Sequence, residues 1–263
     1  PSSALPNSLP GMMFKVPGWL FREDGPLFIQ WKYFPKLIPW LIRFLNSANW
    51  DKVDETTSSL LTLHASCFRL YQDLVKEIGA EDLIVESPII NLYKKEEDFK
   101  SALSIWKILK NKGIDYEELD EPLVRENEPN LSSEYHFGVL FRNSGFSSNP
   151  FRLVEKMSER FLSDGGDFIH EYVQNIKSDE HGKTILKLEN REIQSERVLV
   201  AAGAWSHQLA SQLGVKIPLE TERGYHVTLN SKEGGPKNIV MEAGHKFMAT
   251  PMEIGVRFAG TAE

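Results

Sequence analysis

The sequence predicts an α/β chain in which two differently built parts are interleaved. Three observations predict it. Apolar residues recur at helical spacing over 54–78, 96–111 and 150–161. The run Arg197-Val198-Leu199-Val200-Ala201-Ala202-Gly203-Ala204-Trp205-Ser206 carries an apolar β-branched segment into small residues and then a helix-like stretch to Leu213. From Leu219 onward, short apolar runs are separated by Gly and Pro, the pattern of an antiparallel sheet.

Taken in order, residues 1–25 are rich in Pro, Gly and Ser and read as an ordered loop. Pro26 to Ala48 is apolar and aromatic, and Pro35 and Pro39 limit its helix to about Pro39–Asn46. One helix is expected from Asp54 to Ile78, closed by Gly79, and another from Glu96 to Asn111, closed at Gly113. Strands are expected at Leu83–Val85, Ile89–Tyr93 and Tyr135–Arg142. Asn149-Pro150 is an N-cap followed by a first-turn proline, opening a helix that carries Leu153, Met157 and Phe161 and ends at Gly165-Gly166. Phe168–Ile176 and Thr184–Leu188 read as strands around the polar turn 179–182, and Val198–Ala204 as a further buried strand.

The 263 residues, 41% hydrophobic and 25% charged, suffice for a substantial core. A formal charge of −7 argues against a nucleic-acid partner. The single cysteine, Cys67, excludes an internal disulfide. Its place among Leu63, Leu70 and Tyr71 reads as a buried core thiol, which fits a reducing, cytoplasmic setting. No apolar run reaches membrane-spanning length. Pro1 at one end, and a strand-like segment cut short at Glu263 at the other, are read as truncation points.

The chemistry centres on 197–206. Ala-Ala-Gly-Ala removes side-chain bulk where a strand meets a helix, so a ligand can come close to the backbone, and a nucleotide is the usual occupant of such a place. The glycine-rich loop that normally works with it, G-x-G-x-x-G, is absent from these residues. The alternative is that the small residues only let a helix pack closely on a strand. The seven histidines show no compact metal-ligand spacing, and there is no G-x-S-x-G. In 26–50, Trp31, Tyr33, Phe34, Trp40, Phe44 and Trp50 interleave with Lys32, Lys36 and Arg43. That mixture suits either a cover over the second domain or a bilayer interface.

The order and spacing of several pieces resemble the D-amino-acid oxidase and dehydrogenase family of flavoproteins, most closely its D-amino-acid dehydrogenase branch. The pieces are Ser147-Ser148-Asn149-Pro150 with its helix, the Val173 strand, Val198–Ser206, Glu222-Arg223-Gly224-Tyr225-His226, Ala249-Thr250-Pro251-Met252 and Gly255–Glu263. Together they span about 146–263, with a weaker match at Pro6–Gly11. The resemblance implies non-covalently bound FAD. The backbone of Val173 would meet the adenine, Ala201, Ala202, Gly203, Ala204 and Trp205 would lie along the dinucleotide, and Met252 would pack near the flavin ring. Tyr225 and His226 are the implied substrate-side, catalytic candidates, with Arg223 structural. Each also has a plain reading as a sheet or core residue.

The implied reaction is oxidation of the amine carbon of an amino acid by hydride transfer to the flavin, with the protein orienting the α-carbon and holding the carboxylate. The implied partners are an amino-acid substrate, a respiratory-chain electron acceptor and a peripheral membrane contact through 26–50. The implied domains are a partial FAD-binding, Rossmann-like part (1–30, 148–212 and 250–263) and a mixed antiparallel substrate part (31–147 and 213–249). The G-x-G-x-x-G segment is expected before residue 1, and the family's carboxylate-binding arginine after Glu263. Two alternatives stay open: a non-catalytic remnant or interaction module that does not hold FAD, and a glycine- or sarcosine-type amine oxidase.

Overall fold

The computed structural model describes residues 4–6, 8–11, 32, 34–219, 221, 223–231 and 233–262. The expectations for 12–31, which include Trp31, lie outside these, as do Tyr33 and Glu222. Among the described residues the helices and strands run from α1 (Phe34–Ser47), α2 (Trp50–His64) and α3 (Cys67–Glu77) to β1 (Ile84–Glu86) and β2 (Ile89–Tyr93). The chain continues through α4 (Glu96–Asn111), β3 (Glu117–Leu119), α5 (Glu121–Asn127), β4 (Phe137–Phe141), β5 (Gly145–Ser147) and α6 (Pro150–Ser163). The strands β6 (Asn175–Ser178), β7 (Thr184–Lys187) and β8 (Glu192–Ser195) lead to α7 (Ser206–Gln212). The strands β9 (Gly224–Leu229), β10 (Ile239–Glu242), β11 (Phe247–Met252) and β12 (Gly255–Ala262) complete it.

Local chemistry accounts for most of these boundaries. Asn49 caps α2 by accepting from Lys52 N, Asp120 caps α5 through Leu123 N, and Asn149 caps α6 through Arg152 N. Gly79, Gly113 and Gly165 take positive φ just past α3, α4 and α6, where a left-handed residue lets the chain turn away. Asp179 Oδ1 accepts the backbone N–H of both His181 and Lys183, closing the β6–β7 turn at Gly182.

Four expectations need correction. Pro39 lies inside α1 instead of opening it. Only the bond to Pro35 is forfeited there, and Phe34 and Pro35 extend the helix ahead of it. The helix expected over 54–78 divides at Ala65-Ser66. A straight helix would carry Val75 about 27 Å beyond Thr57. The break instead lets α3 place Val75 with Ala80, Leu83 and Leu153, while Leu60 and Leu61 of α2 pack on the central sheet. Cys67 is exposed, because Leu63, Leu70 and Tyr71 around it face solvent; its thiol donates to Leu63 O. Finally, 168–174 and 198–202 form no strand ladder among the described residues. A strand exists by its partner, and Phe168, Tyr172 and Leu199 stand 75, 75 and 89% exposed.

The chain divides into two compact units, residues 1–158 with 224–263, and residues 159–223. The smaller holds the antiparallel sheet β6-β7-β8 with α7, joined where Gln212 Oε1 accepts Ile176 N. The larger holds a seven-stranded sheet in the order β3-β4-β2-β10-β11-β12-β9, with β1 and β5 paired separately. Residues 250–262, expected with the cofactor part, are strands of this larger sheet, because Met248–Met252 pair with Ala259–Gly255.

Three of the seven strands come from residues 89–141 and four from 224–262. The two sets meet at the parallel pair β2–β10, Ile90 opposite Val240. A carboxylate fixes the entry of β10: Glu128, fully buried, accepts Lys237 N at 2.8 Å and Asn238 N at 2.7 Å. Ser87 Oγ accepts Ile239 N next to it. Losing the Glu128 carboxylate would leave two donors unpaired, at about 1–3 kcal/mol each.

One face of the sheet buries Ile90, Leu92, Leu119, Leu140, Val240, Ala249 and Val256 against Val124 of α5. The other, under β2 and β4, buries Tyr93, Val139 and Phe141 against Phe99 and Leu109 of α4. Phe99 stacks on Phe137, Trp106 meets Phe141 edge-on, and Trp106 Nε1 donates to Tyr93 Oη at 3.0 Å. Burial pushes the Tyr93 phenol up to about 12, slightly offset by the Trp106 bond. The unfolded phenol ionises near its ordinary value of 10, so this stability is fully present below pH 10 and lost as pH rises towards 12. Denaturant unfolding should show about 2–3 kcal/mol disappearing across that window. Tyr93→Phe should lack this pH dependence while being less stable at pH 7, because Trp106 loses its acceptor.

Candidate functional site

The two faces of the sheet are unequal. The face carrying Tyr93 and Phe141 is buried under β2 and β4, but its continuation across β10, β11, β12 and β9 is only partly covered. There Met241, Met248, Thr250 and Arg257 are half-buried and His226 is exposed. Register places these residues together: Met241 pairs with Met248, Met248 with Ala259, and Ala259 with His226, while Thr250 pairs with Arg257 and Arg257 with Thr228. Two adjacent rows of the sheet thus present a thioether, hydroxyls, an imidazole and a guanidinium on one side.

Arg257 is the charged member of this group. Its Nη2 donates to His226 Nδ1 at 3.3 Å, which requires the neutral ring with its proton on Nε2. Its Nε is buried without a hydrogen-bond partner among the described residues. A half-buried guanidinium in that state has a free donor, and its planar fork matches a carboxylate. Farther along the same face, Asn91 is 7% exposed and its Nδ2 is likewise unpartnered. Three strand spacings, about 14 Å, separate it from β12.

The close approach of β9 and β12 depends on Gly255. Its φ is +137°, and a Cβ there would lie 1.9 Å from Leu229 O. Past Ala259 the register shifts at a bulge, so that Thr261 pairs with Tyr225. Tyr225 and His226, adjacent on β9, therefore project to opposite faces, and only His226 joins Arg257. Met252 pairs with Gly255 at the other end of β12, six positions from Thr261, which puts it about 20 Å from Tyr225. Met252 is buried and Tyr225 is 45% exposed.

The remaining predicted residues belong to the smaller unit. Val173 is half-buried and stands just ahead of β6, where Gln174 N bonds Lys187 O. Ala201 and Ala202 are exposed. Gly203 (φ +55°) begins the short turn Gly203–Trp205 that runs into α7, and nothing lies within 4 Å of a Cβ added to it. Trp205 is 62% exposed. Small residues on open space, close in sequence to the exposed Leu199, fit a surface on which a large flat group would rest. As one wall of a dinucleotide site, these residues fit FAD. Among the described residues, no group of three His, Cys, Asp or Glu is arranged to hold a metal ion.

Arg257 was missed in the sequence because Val256-Arg257-Phe258-Ala259 reads as ordinary strand alternation. The available signal was an arginine at a position whose strand neighbours across the sheet, Thr250 and Thr228, are neutral. No local pattern marks Asn91.

Comparison with known proteins agrees with this architecture. The family model described as "DAO: FAD dependent oxidoreductase" matches residues 31–263. A D-amino-acid oxidase of Bradyrhizobium diazoefficiens is 34% identical over 263 residues, covering 99% of this chain and 62% of that protein. A D-amino acid dehydrogenase of Dechloromonas aromatica is 26% identical over 272 residues, covering 100% of this chain and 65% of that protein. The chain therefore spans under two thirds of the length of these curated relatives. Among solved structures, glycine oxidase from Geobacillus kaustophilus superposes with a TM-score of 0.69 at 20% identity, covering 78% of this chain and 56% of that one. That likeness shows the fold.

Proposed function

Because the chain belongs to the DAO family of FAD-dependent oxidoreductases, we propose that it oxidises the amine carbon of an amino acid and that Arg257 holds the substrate carboxylate. The observation that carries this reading is the guanidinium whose buried Nε has no hydrogen-bond partner among the described residues, on the partly open half of the sheet. Bound FAD supplies the hydride acceptor for the substrate α-carbon. Arg257 fixes the carboxylate through two N–H groups and so limits rotation of the α-carbon. His226, in its neutral form, holds the second guanidinium nitrogen and is a positioning residue. Met248 and Thr250 line the approach. Tyr225 lies on the other face, so in this reading it does not share the carboxylate with Arg257.

For the cofactor, the residues assigned are Val173, Ala201, Ala202, Gly203, Ala204 and Trp205, through backbone contact and small-residue clearance. Met252 keeps only a packing role in this reading. The division of 1–30, 148–212 and 250–263 from 31–147 and 213–249 stays a proposal about the flavin-bound protein. D-Amino acids are the preferred substrate class, following the names of the two relatives. A glycine- or sarcosine-type oxidase is separated from this by peroxide production with those amines. A non-catalytic remnant is separated by a colourless protein that FAD does not stabilise.

A second reading concerns the electron acceptor and location. Ile38, Trp40 and Ile42 of α1 are 41, 51 and 54% exposed, and Trp40 stacks on Phe44 at 5.0 Å. Such an aromatic, apolar surface beside Arg43 supports peripheral contact with a bilayer that holds a respiratory acceptor. No helix among the described residues is long and apolar enough to cross a membrane. Co-sedimentation with anionic vesicles should fall severalfold in Trp40→Glu; equal sedimentation would remove this reading.

The main test uses the FAD-loaded protein with an artificial electron acceptor. Arg257→Ala should raise KM for a D-amino acid by roughly 30- to 150-fold, equivalent to about 2–3 kcal/mol, with a smaller effect on kcat. Arg257→Lys should recover part of the loss, since it keeps charge without the fork. An unchanged KM in Arg257→Ala would refute the assignment.

A further inference from the structure

The opposite face of the same sheet holds a separate, partly open cavity of about 330 Å³, bordered by Asn130, Leu131 and Ser132 and by Gly234, Gly235 and Pro236. Its floor is apolar, formed by Val240, Ala249 and Val256, and aromatic side chains wall it: Phe247 and Phe258, 6.2 Å apart, and Tyr135. One buried acid breaks this surface. Glu242, 5% exposed, extends from β10 into the lining. Its Oε2 accepts His245 N and faces His245 Nδ1 at 3.2 Å, while among the described residues no hydrogen bond reaches Oε1. Glu233 on the rim adds a second negative group.

A carboxylate taken out of water is costly unless a cation or several donors compensate it. The turn satisfies one oxygen, and among the described residues no hydrogen bond reaches the other. Lys94 Nζ sits 5.3 Å from the Tyr135 ring centroid and within electrostatic reach of Glu242, but it is paired with Glu134 at 2.6 Å. Aromatic walls attract ammonium groups through their ring faces. The volume is that of a small-molecule site.

We propose that this cavity binds a small organic ammonium with an apolar body, its charge paired with Glu242 and its body held among Phe247, Phe258 and Tyr135. The two acids disfavour carboxylates, so this site is selective in the opposite sense to Arg257, and it does not depend on bound flavin.

The test is titration calorimetry of the 263-residue chain with benzylammonium, benzyl alcohol and benzoate. Benzylammonium should bind saturably, benzyl alcohol at least tenfold more weakly, and benzoate not measurably. Glu242→Gln retains an acceptor for His245 N, so the turn survives, yet benzylammonium affinity should fall at least tenfold. Leu229→Trp, a change at a 54% exposed lining residue, should block the cavity with a similar loss and leave the carboxylate untouched. Circular dichroism confirms folding, and if Glu242→Gln fails to fold, Leu229→Trp decides. Wild-type affinity in the folded variants, equal binding of the alcohol, or no saturable binding to the wild type would each overturn the proposal and leave Glu242 as a turn cap alone.

Discussion

Everything in the larger unit depends on the parallel pairing of β2 with β10. Hairpin and meander contacts can build β3-β4-β2 and β10-β11-β12-β9 separately, but only this pair makes them one sheet. Parallel neighbours need a long connection, and nearly 150 residues intervene between these two strands. Glu128 secures the junction by occupying two backbone donors at the start of β10, from a helix end that follows β3. A carboxyl group buried at a strand entry is stable there because each of its oxygens accepts a backbone hydrogen bond.

Joining the halves creates the asymmetry from which function follows. Helices α2 and α4 cover β2 and β4, and their aromatic and aliphatic side chains fill that end. The β10–β9 half carries Met, Thr, Arg and His on the same face instead. The change in residue composition along this face marks where close apolar packing stops. The other face repeats the theme with opposite charge at Glu242.

Much of this was legible in the sequence. Helix starts at Asn149-Pro150 and stops at Gly79, Gly113 and Gly165 were readable because caps and left-handed glycines act within a few residues. The strands after Leu219 were readable from their punctuation. What was not legible depends on distant partners. Val198–Ala202 has the composition of a buried strand, but composition cannot supply a neighbour to pair with, and Leu199 stands in solvent. Cys67 looked buried because a helical stripe shows which residues share a face, not whether anything covers that face. The division of Tyr225 from His226, and of both from Met252, follows from register, which neighbouring strands decide. The family resemblance singled out Gly224–His226 and Gly255–Glu263, the stretches that hold β9 and β12, without singling out Arg257.

The most direct test of the central claim observes Arg257 itself. In a nitrogen-15 NMR spectrum of the FAD-loaded protein, the Arg257 Nε–H resonance, assigned by its loss in Arg257→Lys, should shift on adding a carboxylate-bearing substrate analogue. Its exchange with solvent should slow as the unpaired donor gains an acceptor. A resonance that stays unchanged while the analogue demonstrably binds would contradict the account.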